Sequence, residues 1–346
     1  MWLAGTLGRE AALQDGRDRL NTGETTGLIA TGIIEAIGKR LASGHSILVV
    51  SHVRPDGDAI GAVLGLGMAL ESAGKRVQMY LADGIPSSFR HLEGADRIVT
   101  RFEQGYDTYV AVDCADFKRV GKALTEFPPP DINIDHHKTN EMFGTLNLVE
   151  GEEVATSAIL TKYLPRWGYE ITQPIAAALL TGIITDTLGF RTSNVTPDAL
   201  RQAATLMETG VDMPELYMRG LVHRSFAAAR YWGQGLSRLE RVHGLVTTAL
   251  TLEDRKVAAY GGNDDADLIN VVSAIDGFKV AVLFVEQHKN RVKISWRALD
   301  PGIDVAQIAV KFGGGGHAAA AGADVEGTLD EVRREVLRTT KQMLRL

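Results

Sequence analysis

Apolar residues along the chain follow two rhythms. Short continuous runs, "SILVVSH" (46–52), "RVQMYLA" (76–82), "TYVAVDCA" (108–115) and "INIDHH" (132–137), have strand length and predict strands buried on both faces. Longer segments lie between and after them. "DAIGAVLGLGMALESAG" (58–74) predicts a helix that stops at Gly74. "TSAILTKYLPRWG" (156–168) and "PIAAALLTGIITDT" (174–187) predict two more, the second opened by Pro174. Buried strands alternating with helices imply an α/β fold: a mainly parallel sheet with helices on both faces. From Thr196 to about Glu240 the pattern turns helical and predicts a helical linker. Beyond it, "LVTTALTL" (245–252), "KVAVLFVEQ" (279–287) and "RVKISWRAL" (291–299) predict the strands of a smaller C-terminal α/β domain. That domain carries a glycine-rich loop in "KFGGGGHAAAAGA" (311–323), whose alanines suggest a helix start, and closes on the amphipathic helix "TLDEVRREVLRTTKQML" (328–344). The resulting domain plan is an N-terminal extension at 1–26, a first domain at 27–195, the linker at 196–240 and a second domain at 241–346.

Composition narrows the class. With 346 residues, 45% hydrophobic and 23% charged, the chain suits two ordinary domains of a soluble globular protein. The apolar stretch Pro174–Thr185 is too short to span a bilayer, and the charged N-terminus has no signal-like apolar core; both point to the cytoplasm and to no membrane partner. The single cysteine, Cys114, excludes an internal disulfide and a thiolate metal cage. The net charge of −6 is uneven: residues 1–222 carry −8 and residues from His223 onward +2. An acidic first half argues against a surface for duplex nucleic acid, which is held through phosphate contacts. It suits a site that takes up cations.

Three strand ends carry cation-type ligands. His52, Asp56 and Asp58 follow the first strand, Asp113 ends "YVAVD", and Asp135, His136 and His137 end "INIDHH". In an open parallel sheet the carboxyl ends of neighbouring strands converge on one crevice. A fourth acidic position, Asp186, lies late in an apolar helix. An aspartate at one strand end is more often a helix cap, but acids at every strand end require a common cause. Several carboxylates and two or three imidazoles without a thiolate make a hard N/O donor set, suited to Mn²⁺ or Mg²⁺ rather than to structural zinc. They are too many for one ion and suit two. Two ions about 3.5–4 Å apart are the usual apparatus for driving water onto phosphorus. Gly57, between Asp56 and Asp58, is expected to let the backbone turn sharply there. Cys114 alternates away from Asp113 and is expected in the core.

"HVRPDGDAIGA", "VAVDCAD", "NIDHHKTN" and "TGIITDTLGF" resemble, in order, the four motifs of the DHH phosphoesterase superfamily. "FGGGGHAAAAGA" resembles the glycine-rich signature of the DHH-associated C-terminal domain. The similarity runs from about residue 27 to residue 346 and is nearest to the short nanoRNase / oligoribonuclease A type. The resemblance implies a cofactor of two Mn²⁺ ions, with Mg²⁺ or Co²⁺ as substitutes. His52, Asp56 and Asp113 would hold one ion; Asp58, Asp113, His136 and Asp186 would hold the other, with Asp113 shared. His137 would face the scissile phosphate, and Asp135 would hydrogen-bond a ligand imidazole. Arg297, Gly314, Gly315, Gly316 and His317 would bind the non-reacting end of the nucleotide, with Ser295 beside them. Arg191 in "GFRTSN" is read either as a contact to the leaving nucleotide or as half of an interdomain ion pair.

The implied activity is hydrolysis of short RNA oligomers, linear pApA, cyclic di-AMP or the 3′-phosphate of pAp, with the second domain capping the cleft. A homodimer through the first domain belongs to the same implication. The alternatives are a RecJ-like single-strand exonuclease, a family II inorganic pyrophosphatase, and a nucleotide-binding sensor without turnover. Too little chain remains for the exonuclease's extra barrel, the glycine loop speaks against the pyrophosphatase, and no ligand position is lost as a sensor would allow. His91, His223, Arg224, His243 and His288 are read as structural or surface residues, and Tyr231 and Trp232 as packing between domains.

Overall fold

A computed structural model of the protein describes residues 31–121 and 127–345; the expected extension at 1–26 lies outside them. The chain divides between His223 and Arg224 into two compact units. Helices assigned to a linker belong to one unit or the other. Ala199, Ala203, Leu206 and Leu216 bury in the first core, whereas Ala228 and Tyr231 bury in the second. Tyr231 therefore packs inside its own unit, stacked on Tyr260 at 5.1 Å.

The first unit is built on six parallel strands in the order β3-β2-β1-β4-β5-β6. They are β1 (Ser46–Val50), β2 (Arg76–Tyr80), β3 (Ile98–Val99), β4 (Thr108–Val112), β5 (Ile132–Asp135) and β6 (Leu146–Val149). The edge strands β3 and β6 are short and were not legible as apolar runs. The order reverses between β1 and β4, which makes that gap the switch point where open α/β sheets bind ligands.

Alternate side chains leave the sheet on opposite faces. Ile47, Val49, Val110 and Val112 enter the main core, while Leu48, Val50, Ala111 and Cys114 enter a second, aromatic-edged cluster. Helix α1 (residues 31–43) brings Ile37 and Leu41 to the main core. It is joined there by α2 (Gly57–Ser72), α3 (Thr156–Tyr163) and α4 (Gln173–Asp186). α2 and α4 touch along a seam of glycines, Gly57, Gly61 and Gly65, spaced four apart and so on one helix face. A Cβ on Gly61 would stand 2.5 Å from the Ala178 carbonyl oxygen and 3.0 Å from the Gly182 nitrogen, so only glycine fits. Gly57 serves this close approach, against Thr185, rather than a sharp turn; the left-handed residue before the helix is Arg54, at φ 55°. α5 (Pro197–Met207) and α6 (Met213–Tyr217) complete this unit.

The second unit holds a mixed sheet, β11-β12-β10-β9-β8-β7. Its strands are β7 (Glu240–Val242), β8 (Leu245–Leu250), β9 (Val280–Gln287), β10 (Arg291–Ala298), β11 (Gly315–Gly316) and β12 (Ala320–Glu326). Val280, Val282 and Phe284 face α10 (Leu329–Leu344), whose Thr328 and Glu331 form a capping box. Ala281, Leu283 and Val285 face α7 (Phe226–Leu236), α8 (Leu252–Ala258) and α9 (Leu268–Val272).

The alanine run after the glycines is not a helix start. Ala320–Glu326 is β12, antiparallel to β10, and Gly315 and Gly316 pair with Gly322 and Ala321. Sheet pairing overrides alanine's helix propensity here. Small residues are required because a Cβ on Gly314 would run into the Gly322 carbonyl, and one on Gly316 would stand 2.5 Å from the Ala320 oxygen.

Candidate metal centre

The register of the sheet assembles the site. Val50 lies opposite Ala111, and Val112 opposite Ile134. Two places beyond Val50, and one place beyond Val112 and Ile134, His52, Asp113 and Asp135 come level at the carboxyl ends of the strands. Asp113 stands at φ 52°, a left-handed conformation that Asp and Asn tolerate better than other residues with a Cβ. This turn leaves its carboxylate among the imidazoles: Oδ2 lies 3.4 Å from His52 Nε2, and Oδ1 lies 3.7 Å from His136 Nε2.

Two donor groups flank Asp113. Ligand atoms of His52, Asp56 and Asp113 lie within 4.8 Å of one another, as do those of Asp58, His136 and Asp186. His136 Nε2 is 3.6 Å from Asp186 Oδ2, so the last residue of α4 reaches the centre. A third group, Asp113, His136 and His137, takes one residue from each of these two and adds His137.

The imidazoles are oriented for ligation. His52 Nδ1 pairs with the Val53 carbonyl at 2.9 Å and His136 Nδ1 with the Glu153 carbonyl at 3.3 Å, which leaves Nε2 of each toward the carboxylates. His137 differs. Its Nδ1 is held at 2.7 Å by Asp135 Oδ1, so Nε2 is its outward edge. The Asp135 carboxylate accepts from the His136 backbone N–H and holds the ring of His137, itself a member of the third donor group.

Burial and crowding set the protonation. Burial, then the Asp113 charge, push Asp58 up to about 7. Burial, followed by Asp58, Asp56 and Asp113, raises Asp186 well above the carboxylate range. Burial would raise Asp113 too, but His52, His137 and His136 hold it below the usual range. Burial pulls His52 and His136 down, and the surrounding carboxylates outweigh it and raise both. Without cations, protons must do the work of relieving this crowding. Nε2 atoms turned toward the carboxylates, hard oxygen donors and acids that resist sharing a site all fit divalent cations.

Several supporting residues escaped the sequence reading. The first turn of α3 points its N–H groups at Asp58: Thr156 N at 2.7 Å from Oδ2 and Ser157 N at 2.9 Å from Oδ1. The Thr156 hydroxyl donates to Asp113 Oδ1 at 3.2 Å and so links the two carboxylates. Asn140 donates to Asp135 Oδ2 at 2.6 Å and to the Cys114 carbonyl at 3.1 Å, bracing two strand ends together. Its presence at the end of "NIDHHKTN" was the only available signal. For Thr156 a direct check exists. Thr156→Val keeps the shape and removes one donor, so kcat is expected to fall about five- to tenfold, whereas Thr156→Ser retains most activity. Equal kcat in wild type and Thr156→Val would exclude the hydroxyl from positioning Asp113.

The second unit places the other predicted residues on its own sheet. Arg297 lies next to last in β10, opposite Ala320, and burial lowers its pKa against the pull of Asp265 and Asp267. Ser295 is buried on the same strand, and His317 is exposed after β11. Gly314 and Gly316 are fixed by packing against β12, whereas Gly315 faces open space. Arg191, in the first unit, is exposed in the turn after α4.

Two family models match the chain: DHH family, N-terminal domain, over residues 46–183, and DHHA1 domain over residues 256–345. The chain belongs to the DHH family and is a hydrolase of phosphoester bonds. Among individual relatives, the bifunctional oligoribonuclease and PAP phosphatase NrnA of Thermus thermophilus is 38% identical over 304 residues, covering 86% of this chain and 90% of the relative. The Bacillus subtilis protein of the same name is 24% identical, covering 81% of this chain and 89% of that one. Among solved structures, an exopolyphosphatase-related protein from Bacteroides fragilis superposes with a TM-score of 0.83 at 26% identity, over 91% of this chain and 98% of that one. RecJ in complex with Mn²⁺ from Thermus thermophilus gives a TM-score of 0.50 at 14% identity, over 91% of this chain and 54% of that one, which reflects shared fold alone.

Proposed function

We propose that the protein hydrolyses short RNA oligonucleotides and the 3′-phosphate of pAp, using two divalent cations at the strand ends of its first unit. The observation that carries the reading is the placement of Asp113, with His52 beside one carboxylate oxygen and His136 beside the other. The Thermus relative named as a bifunctional oligoribonuclease and PAP phosphatase supports the substrate class. His52, Asp56 and Asp113 would hold one cation, and Asp58, Asp113, His136 and Asp186 the other. Bound there, divalent cations acidify a water and draw charge from phosphoryl oxygens.

The remaining steps belong to side chains. Asp135 anchors His137 through Nδ1, so Nε2 is the atom that orients the phosphate or carries a proton to the leaving oxygen. Asp58, gripped by two backbone N–H groups, cannot swing away when its proton is displaced. Arg297, Ser295 and His317 of the second unit bind the anionic end of the substrate, and Arg191 contacts the leaving nucleotide. Mn²⁺ is the favoured ion, and linear pApA and cyclic di-AMP extend the substrate list.

A turnover panel tests the reading. Purified protein with Mn²⁺ is offered a length series of labelled RNA, pAp, pApA, cyclic di-AMP, long single-stranded DNA and pyrophosphate. Release of mononucleotide from the shortest RNA and of phosphate from pAp is expected. Activity confined to pyrophosphate or long DNA, or absent throughout, would refute it.

The acids also dictate a pH signature. Asp58, raised to about 7, stabilises the cation-free fold at low pH and loses that contribution as pH rises through about 7. A cation binds only after that proton leaves, and the raised His52 and His136 must give up theirs as well. Saturating Mn²⁺ is therefore expected to raise the melting temperature several degrees more at pH 8 than at pH 5.5. A gain that is equal at both pH values would count against these residues as ligands.

A further inference from the structure

Outside the candidate centre, the second unit buries a guanidinium with no counter-charge. Arg255, on α8, is 8% exposed. Its Nε has no hydrogen-bond partner, and its two amino groups reach only the Asn263 Oδ1 at 3.5 Å and the Glu286 carbonyl at 3.4 Å, both at the limit of bonding. Among the described residues no carboxylate stands within 4.0 Å of it, and its remaining polar neighbour is the Tyr231 hydroxyl, a neutral partner that cannot balance its charge. Asp254, next in sequence, is taken by Arg238 instead. A buried cation left in this state is costly unless an anion completes it.

The surroundings are built to admit one. Arg255 lines a cavity of about 430 Å³ together with Lys256, His288, Tyr260, Glu253, Leu252 and Ala259. Lys256 and His288 are exposed at its edge, and the Lys256–Glu253 pair at 3.8 Å is open to solvent and weak. Tyr260 supplies a stiff wall, since its ring is stacked on Tyr231 and its hydroxyl bonds Asp264 at 2.5 Å.

Sheet register separates this cavity from the proposed substrate residues of the same unit. Arg297 pairs with Ala281 and Ala320 at one end of β10, beside the glycine arm. Arg291 pairs with Gln287 at the other end, where His288 follows and Glu286 meets α8. Six rungs of about 3.4 Å each put the two ends roughly 20 Å apart. We propose that this cavity is a second anion site, in which a phosphate group sits on the Arg255 guanidinium with Lys256 and His288 closing over it. The bidentate fork of arginine and two flanking cationic or donor groups are the chemistry of phosphate capture. The occupant is free inorganic phosphate or the phosphate of a mononucleotide.

Hydrogen–deuterium exchange on the full chain, freed of cations with a chelator, tests it. Inorganic phosphate is expected to protect the segment 252–263, and AMP to do so as well. Tighter binding of AMP assigns the site to a nucleotide; equal binding assigns it to free phosphate; both outcomes support it. Arg255→Gln is expected to abolish the protection. Because that change touches a buried residue, the double variant Lys256→Ala/His288→Ala, altered only at exposed positions, gives the second reading: the same melting temperature with phosphate affinity weakened about tenfold. Protection confined to 311–323, no protection at all, or undiminished affinity in the double variant would overturn the proposal.

Discussion

Asp113→Asn is expected to lower turnover by about a thousandfold or more, the largest single loss in the chain, because one charge serves both donor groups. Asparagine suits the test. It matches aspartate in shape, tolerates the left-handed backbone at φ 52°, and still offers Thr156 an acceptor. The fold should therefore persist while the charge is lost. Its stability carries a pH signature of its own. His52, His136 and His137 are raised by their carboxylates, Asp113 among them, so that part of their stabilisation is present below about pH 6.5 and disappears as pH rises past their folded values. Cation-free Asp113→Asn should thus be about 1–3 kcal/mol less stable than wild type at pH 5.5 and close to it at pH 9. Melting curves across pH, with and without Mn²⁺, check this. A variant that keeps wild-type turnover would remove Asp113 from the chemistry.

The second large effect is mechanical. Gly61→Ala sets a methyl 2.5 Å from the Ala178 carbonyl, and backbone cannot yield as a side chain can. A cost of about 1–3 kcal/mol is expected, and Gly61→Leu should exceed it enough to prevent folding. Activity should suffer beyond stability, since Asp56 caps α2, Asp58 lies in its first turn and α4 ends with Asp186. Prising the helices apart separates ligands. Gly233→Ala in α7 is the contrast: nothing lies within 4 Å, so helix propensity should make it stabilising by about 0.5–1 kcal/mol. Denaturant melts of the three variants decide it; a neutral Gly61→Ala would mean that the seam is loose.

Legibility in the sequence followed the range of the forces involved. The strands β1, β2, β4 and β5 and the helices between them were visible because burial on a repeating backbone writes a local period. Edge strand β3, with two residues, was too short to carry one, and β6 (Leu146–Val149) is mostly half-buried and interrupted by Asn147. "AAAA" misled because alanine's helix preference is worth less than the ladder that β10 offers β12. At the centre, the donor types were legible and their partners were not. That Asp135 would hold the ring of His137 in particular was decided by how the chain turns after β5.

By itself, then, the sequence determined the layered α/β plan, the acidic strand ends and the hard donor set, since each depends on residues close together in the chain. Only tertiary structure decided which donors meet. It brought His52 level with Asp113 through the β1–β4 register, drew Asp186 in across a glycine seam, and turned α3 so that Thr156 and Ser157 grip Asp58. Those contacts join residues far apart in the chain, and the geometry of packing alone specifies them, because no local period records which distant backbone group a side chain will face.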